Sequence, residues 1–194
     1  MTPIAFIIGN GRSRLDIDLE SLRGRGMIYG CNALYRDFTP DVLIATDGGI
    51  AKEIQESGYA KTNRFYTRRP IDGLGAKPIE YNYGWSSGQV ALSYACRANH
   101  SYLYMIGFDL AGLNEHQKFN NVYADTSHYK TSTEKPTFYG NWLKQIHQTV
   151  NEFKDKRFIR VIAKDGYEPP ELKPLKNLQH LFINDFKTVL NTLK

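Results

Sequence analysis

Only two cysteines occur in the 194 residues, Cys31 and Cys96. Neither stands in a metal-ligand spacing, and two are too few for the disulfide framework of a small secreted scaffold. Both sit in apolar segments and read as buried free thiols, which favours a reducing compartment. Long apolar runs are also missing. None approaches the ~20 residues that span a bilayer, so no transmembrane segment is expected. Met1-Thr2-Pro3 leads directly into an apolar strand without a basic leader, so no signal peptide is expected and the protein reads as cytoplasmic. Charge-rich tails, low-complexity stretches and internal repeats are absent too. The charge imbalance is small, 25 Lys+Arg against 20 Asp+Glu, for a net +5. It suits an anionic ligand without the sharp basic cluster of a dedicated nucleic-acid binder, so nucleic acid ranks last among the partners. The best local cluster, Thr67-Arg68-Arg69-Pro70, reads as solvated loop arginines before it reads as a phosphate clamp. Oligomerisation is left open.

Short apolar runs do recur. Ile4–Ile8, Met27–Cys31, Val42–Thr46, Arg64–Tyr66, Tyr102–Ile106 and Phe158–Ile162 lack polar alternation, as expected of strands buried on both faces of a parallel sheet. Helical patterns lie between them. Ser86 to Ala98 carries Val90, Ala91, Tyr94, Ala95 and Ala98 on one face, with Ser86 or Ser87 as N-cap. Thr137 to Phe153 repeats Phe138, Trp142, Ile146, Val150 and Phe153. Asn184 is placed to cap a last helix with Phe186, Val189, Leu190 and Leu193 inside, and Gly58 to stop a short one holding Ile50 and Ile54. His100 and His180 fall in expected surface turns, and His147 off the apolar stripe of its helix. Gly166 to Pro174, with three prolines, reads as a surface excursion. The expected fold is α/β, one Rossmann-like domain over 1–194, with a mostly parallel sheet flanked by helices. The stretch 110–136 has little periodicity. It follows the fifth strand, on the edge where such sheets bind ligands, and reads as an active-site loop.

Several strands end in small or polar residues on that edge. The first runs into Gly9-Asn10-Gly11-Arg12-Ser13, where glycines let the backbone approach a ligand and the next helix start, with the Ser13 hydroxyl, offers a phosphate site. The dinucleotide fingerprint is broken, because Arg14 stands where a third glycine is needed and Asn32 where an acid is needed, so a nicotinamide cofactor is not expected. Cys31-Asn32, Thr46-Asp47 and Gly107-Phe108-Asp109 end other strands, and Trp85-Ser86-Ser87-Gly88 opens a helix. Asp47 and Asp109 have the placement of Mg²⁺ ligands, although a turn or cap role suits each better. His128, in Thr126-Ser127-His128-Tyr129 of the long loop, is the candidate general base, because an imidazole titrates near neutrality. His116 shares that loop.

In order and spacing these motifs resemble the bacterial sialyltransferases of glycosyltransferase family 42. They are also similar to the wider group of MptE-like 6-hydroxymethylpterin diphosphokinases, which share the opening turn and a Pro-Asp strand start like Pro40-Asp41. The first resemblance implies a pocket for a cytidine monophosphate sugar formed by Asn10, Gly11, Ser13, Asn32, Ser87 and Gly88, with His128 as base and no metal or other cofactor. Two tyrosines assist the departing phosphate in that family. Ala111 stands at the first position here and Tyr123 near the second. Arg12 replaces the family proline and adds a cation beside the expected phosphate. The sequence therefore leads to a transferase acting on a nucleotide-activated donor, with donor contacts at Gly9, Asn10, Gly11, Arg12, Ser13, Asn32, Asp47, Ser86, Ser87, Gly88 and Asp109, and catalytic groups at His128 and Tyr123. The acceptor is unknown. Two alternatives stand beside it: a Mg²⁺-dependent diphosphokinase with the metal on Asp47 or Asp109, and an inactive binding or structural module of the same fold.

Overall fold

The computed structural model describes residues 3–193. Met1 and Thr2, on which the expected lack of a leader rests, lie outside them. Eight strands form one sheet, β1 (Ile4–Ile8), β2 (Met27–Cys31), β3 (Val42–Ala45), β4 (Phe65–Thr67), β5 (Lys77–Pro78), β6 (Tyr102–Ile106), β7 (Arg157–Ile162) and β8 (Leu178–Phe182). The order is β5-β4-β3-β2-β1-β6-β7-β8, and every pairing is parallel. The chain runs outward from β1 to β5, then returns to the other side of β1 and runs outward again. β1 and β6 therefore flank the point where the strand order reverses, the usual crevice for a ligand in open α/β sheets.

Among the described residues five α-helical segments accompany the sheet, besides short 3₁₀ turns: α1 (Gly48–Glu56), α2 (Ser87–Arg97), α3 (Leu113–His116), α4 (Gly140–Glu152) and α5 (Ile183–Thr192). Successive residues of each strand face opposite sides, so the apolar runs feed two cores. Phe6, Ile8, Leu43, Tyr104 and Val161 pack with Ile50 and Ile54 of α1 and Phe186 and Leu190 of α5. Ala5, Ile7, Ile44, Leu103 and Met105 pack with Val90, Ala91 and Ala95 of α2 and Ile146 and Val150 of α4. A fully buried aliphatic side chain contributes roughly 1.5–3 kcal/mol, so burial on both faces holds the layers together. Both cysteines are free and buried. No helix among the described residues is long and apolar enough to cross a membrane.

Several elements differ from the sequence expectation. β8 was hidden because its half-exposed Leu-Gln-His-Leu-Phe alternates on the sheet edge instead of forming an apolar run. β5 is two residues long, and its Pro78 suits an edge strand. Helix α4 begins at Gly140, and Phe138, expected on the buried stripe, lies outside it and is 75% exposed. Helix α5 begins at Ile183, before Asn184, so that asparagine is not its cap. Ser86 precedes α2 as expected but makes no capping bond with its side chain. His100 is buried against the hydroxyl of Tyr29 at 3.0 Å, not in a surface turn. Arg68 is no solvated loop residue, since its guanidinium donates to the carbonyls of Tyr83 and Trp85 at 2.6 and 2.7 Å. Gly58, with φ +81°, does end the α1 segment as expected.

At the reversal point two backbones touch. Gly9 N–H donates to the carbonyl of Ile106 at 2.7 Å and Gly11 N–H to that of Gly107 at 2.9 Å. A Cβ on Gly107, whose φ is +73°, would lie 2.7 Å from the Gly9 carbonyl oxygen. Gly107→Ala should therefore combine a left-handed backbone with a clash that no side-chain motion relieves, and lower stability by about 2–3 kcal/mol. Urea unfolding measures this, and a midpoint equal to wild type would show that the two turns are not in tight contact.

Candidate functional site

A cavity of about 470 Å³ opens beyond the carboxyl ends of β1, β2, β3 and β6. Gly9, Asn10, Gly11, Asn32, Asp47, Ser86, Ser87, Gly88, Asp109 and His128 all line it. The structure thus brings together most of the candidate residues, drawn from segments as distant as β1 and the loop after β6.

Ser87 organises the middle of the site. It is 3% exposed. Its hydroxyl accepts the Thr46 N–H at 2.9 Å, donates to Asn32 Oδ1 at 2.7 Å, and lies 2.9 Å from the Thr46 hydroxyl. Asn32 takes a left-handed φ of 52° at the end of β2, a conformation asparagine tolerates better than most residues. With Oδ1 held by Ser87, the Asn32 amide N–H₂ is the end available to a ligand. Asn10 is fixed in the opposite sense. Its Nδ2 donates to the Cys31 carbonyl at 3.2 Å, while its buried Oδ1 has no partner. A buried amide oxygen left unpaired costs about 1–3 kcal/mol, which a ligand donor would recover. Gly88 lets the first turn of α2 lie over Phe108, since a Cβ there would meet that ring at 3.3 Å. Asp47 is exposed at the start of α1 and makes no capping bond. The Cys31 thiol behind the site is pushed up to about 12 by burial, so it stays neutral.

Arg12 and Ser13 are not brought to this cavity. The residues after Gly11 form a 3₁₀ turn, Arg12–Asp16, not an α-helix. The Ser13 N–H donates to the Asp109 carboxylate at 3.2 Å, and its hydroxyl donates to the same group. Asn120 Nδ2 donates to it as well, at 3.0 Å. The protein's own carboxylate thus occupies the place expected for a phosphate beside Ser13. Arg12 and Ser13 line a second cavity of about 340 Å³ on the far side of Asp109. Behind this wall lies Arg160, fully buried in β7. Its guanidinium donates to the carbonyls of Phe108, Asp109 and Tyr167 at 2.7, 2.8 and 2.8 Å. Burial lowers its pKa to about 10, so it remains a cation at neutral pH. Its role was unassigned in the sequence reading, although an arginine inside an apolar run was a visible signal.

The long loop carries the catalytic candidate. It is tied to the turn after β1 by the Val122 N–H on the Asn10 carbonyl at 2.8 Å. His128 has a left-handed φ of 70°, and its Nε2 lies 3.2 Å from Glu53 Oε2. Its Nδ1 faces Gly49, where a Cβ would come within 2.5 Å. Tyr129 fixes the next position by accepting the Ala33 N–H at 3.2 Å. Burial raises the Tyr129 phenol well above its usual range, so it keeps its proton. Tyr123 does not reach the cavity. It is 4% exposed, and its hydroxyl donates to Asp37 at 2.6 Å and accepts from Arg14 at 2.8 Å. Residues that the sequence did not mark as donor contacts or catalytic groups complete the lining, notably Tyr129, Lys130, Tyr139 and Trp142. Trp142 was legible only as part of an apolar stripe, and nothing marked Glu53 apart from any solvated helix glutamate.

Gly49 stands in the first turn of α1, where alanine has the higher helix propensity by up to ~1 kcal/mol. Gly49→Ala should therefore leave the unfolding midpoint unchanged or raised, while the new methyl group pushes the His128 ring aside. Ring resonances of His128 identical to wild type would show that this packing does not hold.

No protein-family model matches the sequence, and no curated protein matches it. Among solved structures, the chain is similar to an α-2,3-sialyltransferase from Campylobacter jejuni in apo form, with 12% identity, 85% of this chain and 77% of that one covered, and a TM-score of 0.51. It is also similar to the sialyltransferase CstII from the same organism in complex with the substrate analogue CMP-3FNeuAc, with 12% identity, 92% and 86% covered, and a TM-score of 0.51. At this identity the likeness is one of fold, an α/β domain with a Rossmann-like parallel sheet.

Proposed function

We propose that the protein is a glycosyltransferase that moves a sugar from a nucleotide-activated donor, a cytidine monophosphate sugar in the first instance, to an acceptor hydroxyl. The observation that carries this reading is His128 on the rim of a polar cavity at the strand-order reversal, with Asn10, Asn32 and the start of α2 across from it. The donor class is drawn from a neighbour of the same fold whose structure holds CMP-3FNeuAc.

The chemistry follows from the groups present. His128 takes the proton of the acceptor hydroxyl as its oxygen bonds to the anomeric carbon. The bond from that carbon to the phosphate oxygen breaks, and the nucleoside monophosphate leaves as an anion. The N-terminal turn of the 11-residue α2 meets that charge with backbone N–H groups and the positive end of its dipole. Tyr129, still protonated, and Lys130 stand on the same cavity. Asn10 Oδ1 and the Asn32 amide offer an acceptor and a donor for the nucleotide. Asn120 and Ser13 act indirectly, by holding Asp109. This reading needs no metal and no further cofactor. The diphosphokinase alternative requires Asp47 or Asp109 to carry Mg²⁺, and the Asp109 carboxylate is already taken up by Ser13 and Asn120.

Calorimetric titration with cytidine and adenosine nucleotides, followed by a transfer assay, tests the proposal. Cytidine monophosphate should bind, and chelator should leave turnover unchanged. A positioned base typically contributes roughly 10²–10⁴-fold, so His128→Ala should lower turnover by that order with donor binding intact. Binding of neither nucleotide would reduce the protein to a module without this reaction. Turnover abolished by chelator would return the diphosphokinase reading.

A further inference from the structure

Behind His128 lies a second set of side chains, carried by α1 and by the end of the 3₁₀ turn Asn32–Arg36. Glu53, on α1, presents Oε2 to His128 Nε2 at 3.2 Å. Its carboxylate is gripped from the other side by Arg36, with Nε to Oε1 at 2.9 Å, Nη2 to Oε1 at 2.7 Å and Nη2 to Oε2 at 2.8 Å. The Tyr35 hydroxyl donates to Oε1 at 2.6 Å. The same guanidinium reaches the loop, with Nη1 donating to Thr126 Oγ1 at 3.0 Å and Nη2 to the Ser127 carbonyl at 3.3 Å. One planar cation therefore ties the carboxylate facing the imidazole to the two residues that deliver it. A bidentate guanidinium–carboxylate pair fixes direction as well as distance.

We propose that Glu53 is a positioning residue, clamped by Arg36 and Tyr35, that keeps the ring proton of His128 on Nε2 and so makes Nδ1 the atom that receives the acceptor's proton. This rests on His128 serving as the base. A carboxylate accepts and never donates when ionised, so the nitrogen it faces is the one that carries hydrogen. The hydrogen bonds from Tyr35 and Arg36 outweigh the effect of burial and hold the Glu53 carboxyl below its usual range, so it is ionised at neutral pH. The missing side chain of Gly49 lets the ring lie with Nδ1 against α1, and the ring, 40% exposed, lines the cavity. When the acceptor hydroxyl gives up its proton, it passes to Nδ1 and the ring becomes an imidazolium facing the Glu53 carboxylate. Arg36 is paired with Glu53, and Asp47 and Lys130 are charged groups that line the same cavity as His128. The arrangement has the logic of a base oriented by a third group.

The test is long-range ¹H–¹⁵N correlation of the His128 ring in the full-length ¹⁵N-labelled protein, at a pH where the ring is neutral and with the signal assigned by its loss in His128→Ala. Wild type should show the tautomer protonated on Nε2, and Glu53→Gln should mix the two tautomers. Glu53→Gln should also lower kcat by at least about tenfold without changing donor affinity. A wild-type ring protonated mainly on Nδ1 would overturn the proposal, and this measurement decides even if Glu53→Gln does not fold. A folded Glu53→Gln variant with an unaltered tautomer would overturn it as well. Because the ring signal requires no turnover, a tautomer that follows Glu53 while His128→Ala remains fully active would refute the base assignment and leave the positioning intact.

Discussion

The structure depends on a contact between two peptide groups. Gly9 and Gly107 follow adjacent parallel strands, β1 and β6, from which the sheet is built outward to opposite sides, and their backbones meet closer than any Cβ allows. That closeness lets the turns after β1 and β6 share hydrogen bonds, with the N–H groups of Gly9 and Gly11 on the carbonyls of Ile106 and Gly107. Asn10 is thereby set at the floor of the cavity, and Asp109 at its side. Replacing either glycine with a residue bearing a side chain would separate β1 from β6, which is also where a ligand enters such a sheet.

Around that contact, most buried polar groups are satisfied by the protein itself, as low-dielectric interiors demand. Ser87 joins β2, β3 and α2. Asp109 joins the β1 turn to the long loop through Ser13 and Asn120. Arg160 supplies three N–H groups to carbonyls that a helix or strand would otherwise have had to pair. Satisfying these groups locks the walls before a ligand arrives, so few groups remain for recognition. Asn10 Oδ1, the Asn32 amide and the first N–H groups of α2 are such remainders, and they sit together. The dipoles around the cavity are fixed in advance, which is what the proposed reaction would need where charge develops.

The catalytic candidate is built differently. His128 lies on a loop without regular structure, in a left-handed conformation, and is 40% exposed. Its position comes from anchors of separate origin: Tyr129 on Ala33, Val122 on Asn10, and Arg36 on Thr126 and Ser127. Tyr123 and Arg14 serve the same end beneath the loop, where both are buried and hydrogen-bonded to each other, and the Tyr123 hydroxyl donates to the exposed Asp37. Of the two neighbouring loop tyrosines, Tyr129 reaches the cavity and Tyr123 does not. Spacing along a loop of irregular turns does not reveal which of two nearby rings faces inward, because neither period 2 nor period 3.6 governs it.

By itself the sequence determined the class of fold. Apolar runs without alternation require burial on both faces, and helical stripes between them supply the cover, so a parallel sheet between helices follows from the pattern alone. It also determined which strand ends carry glycine, asparagine and serine, because those ends are read directly at the close of each run. Strands at the edge of the sheet escaped, since β8 is half exposed and has no apolar run to announce it. Only the tertiary structure decided that the Ser13 turn binds an internal carboxylate, that Arg160 braces the β6 turn, and that Glu53 stands behind His128. Each of these is a pairing of charges or hydrogen-bonding groups far apart in the chain, and no local propensity or spacing records what a side chain meets after the sheet has closed.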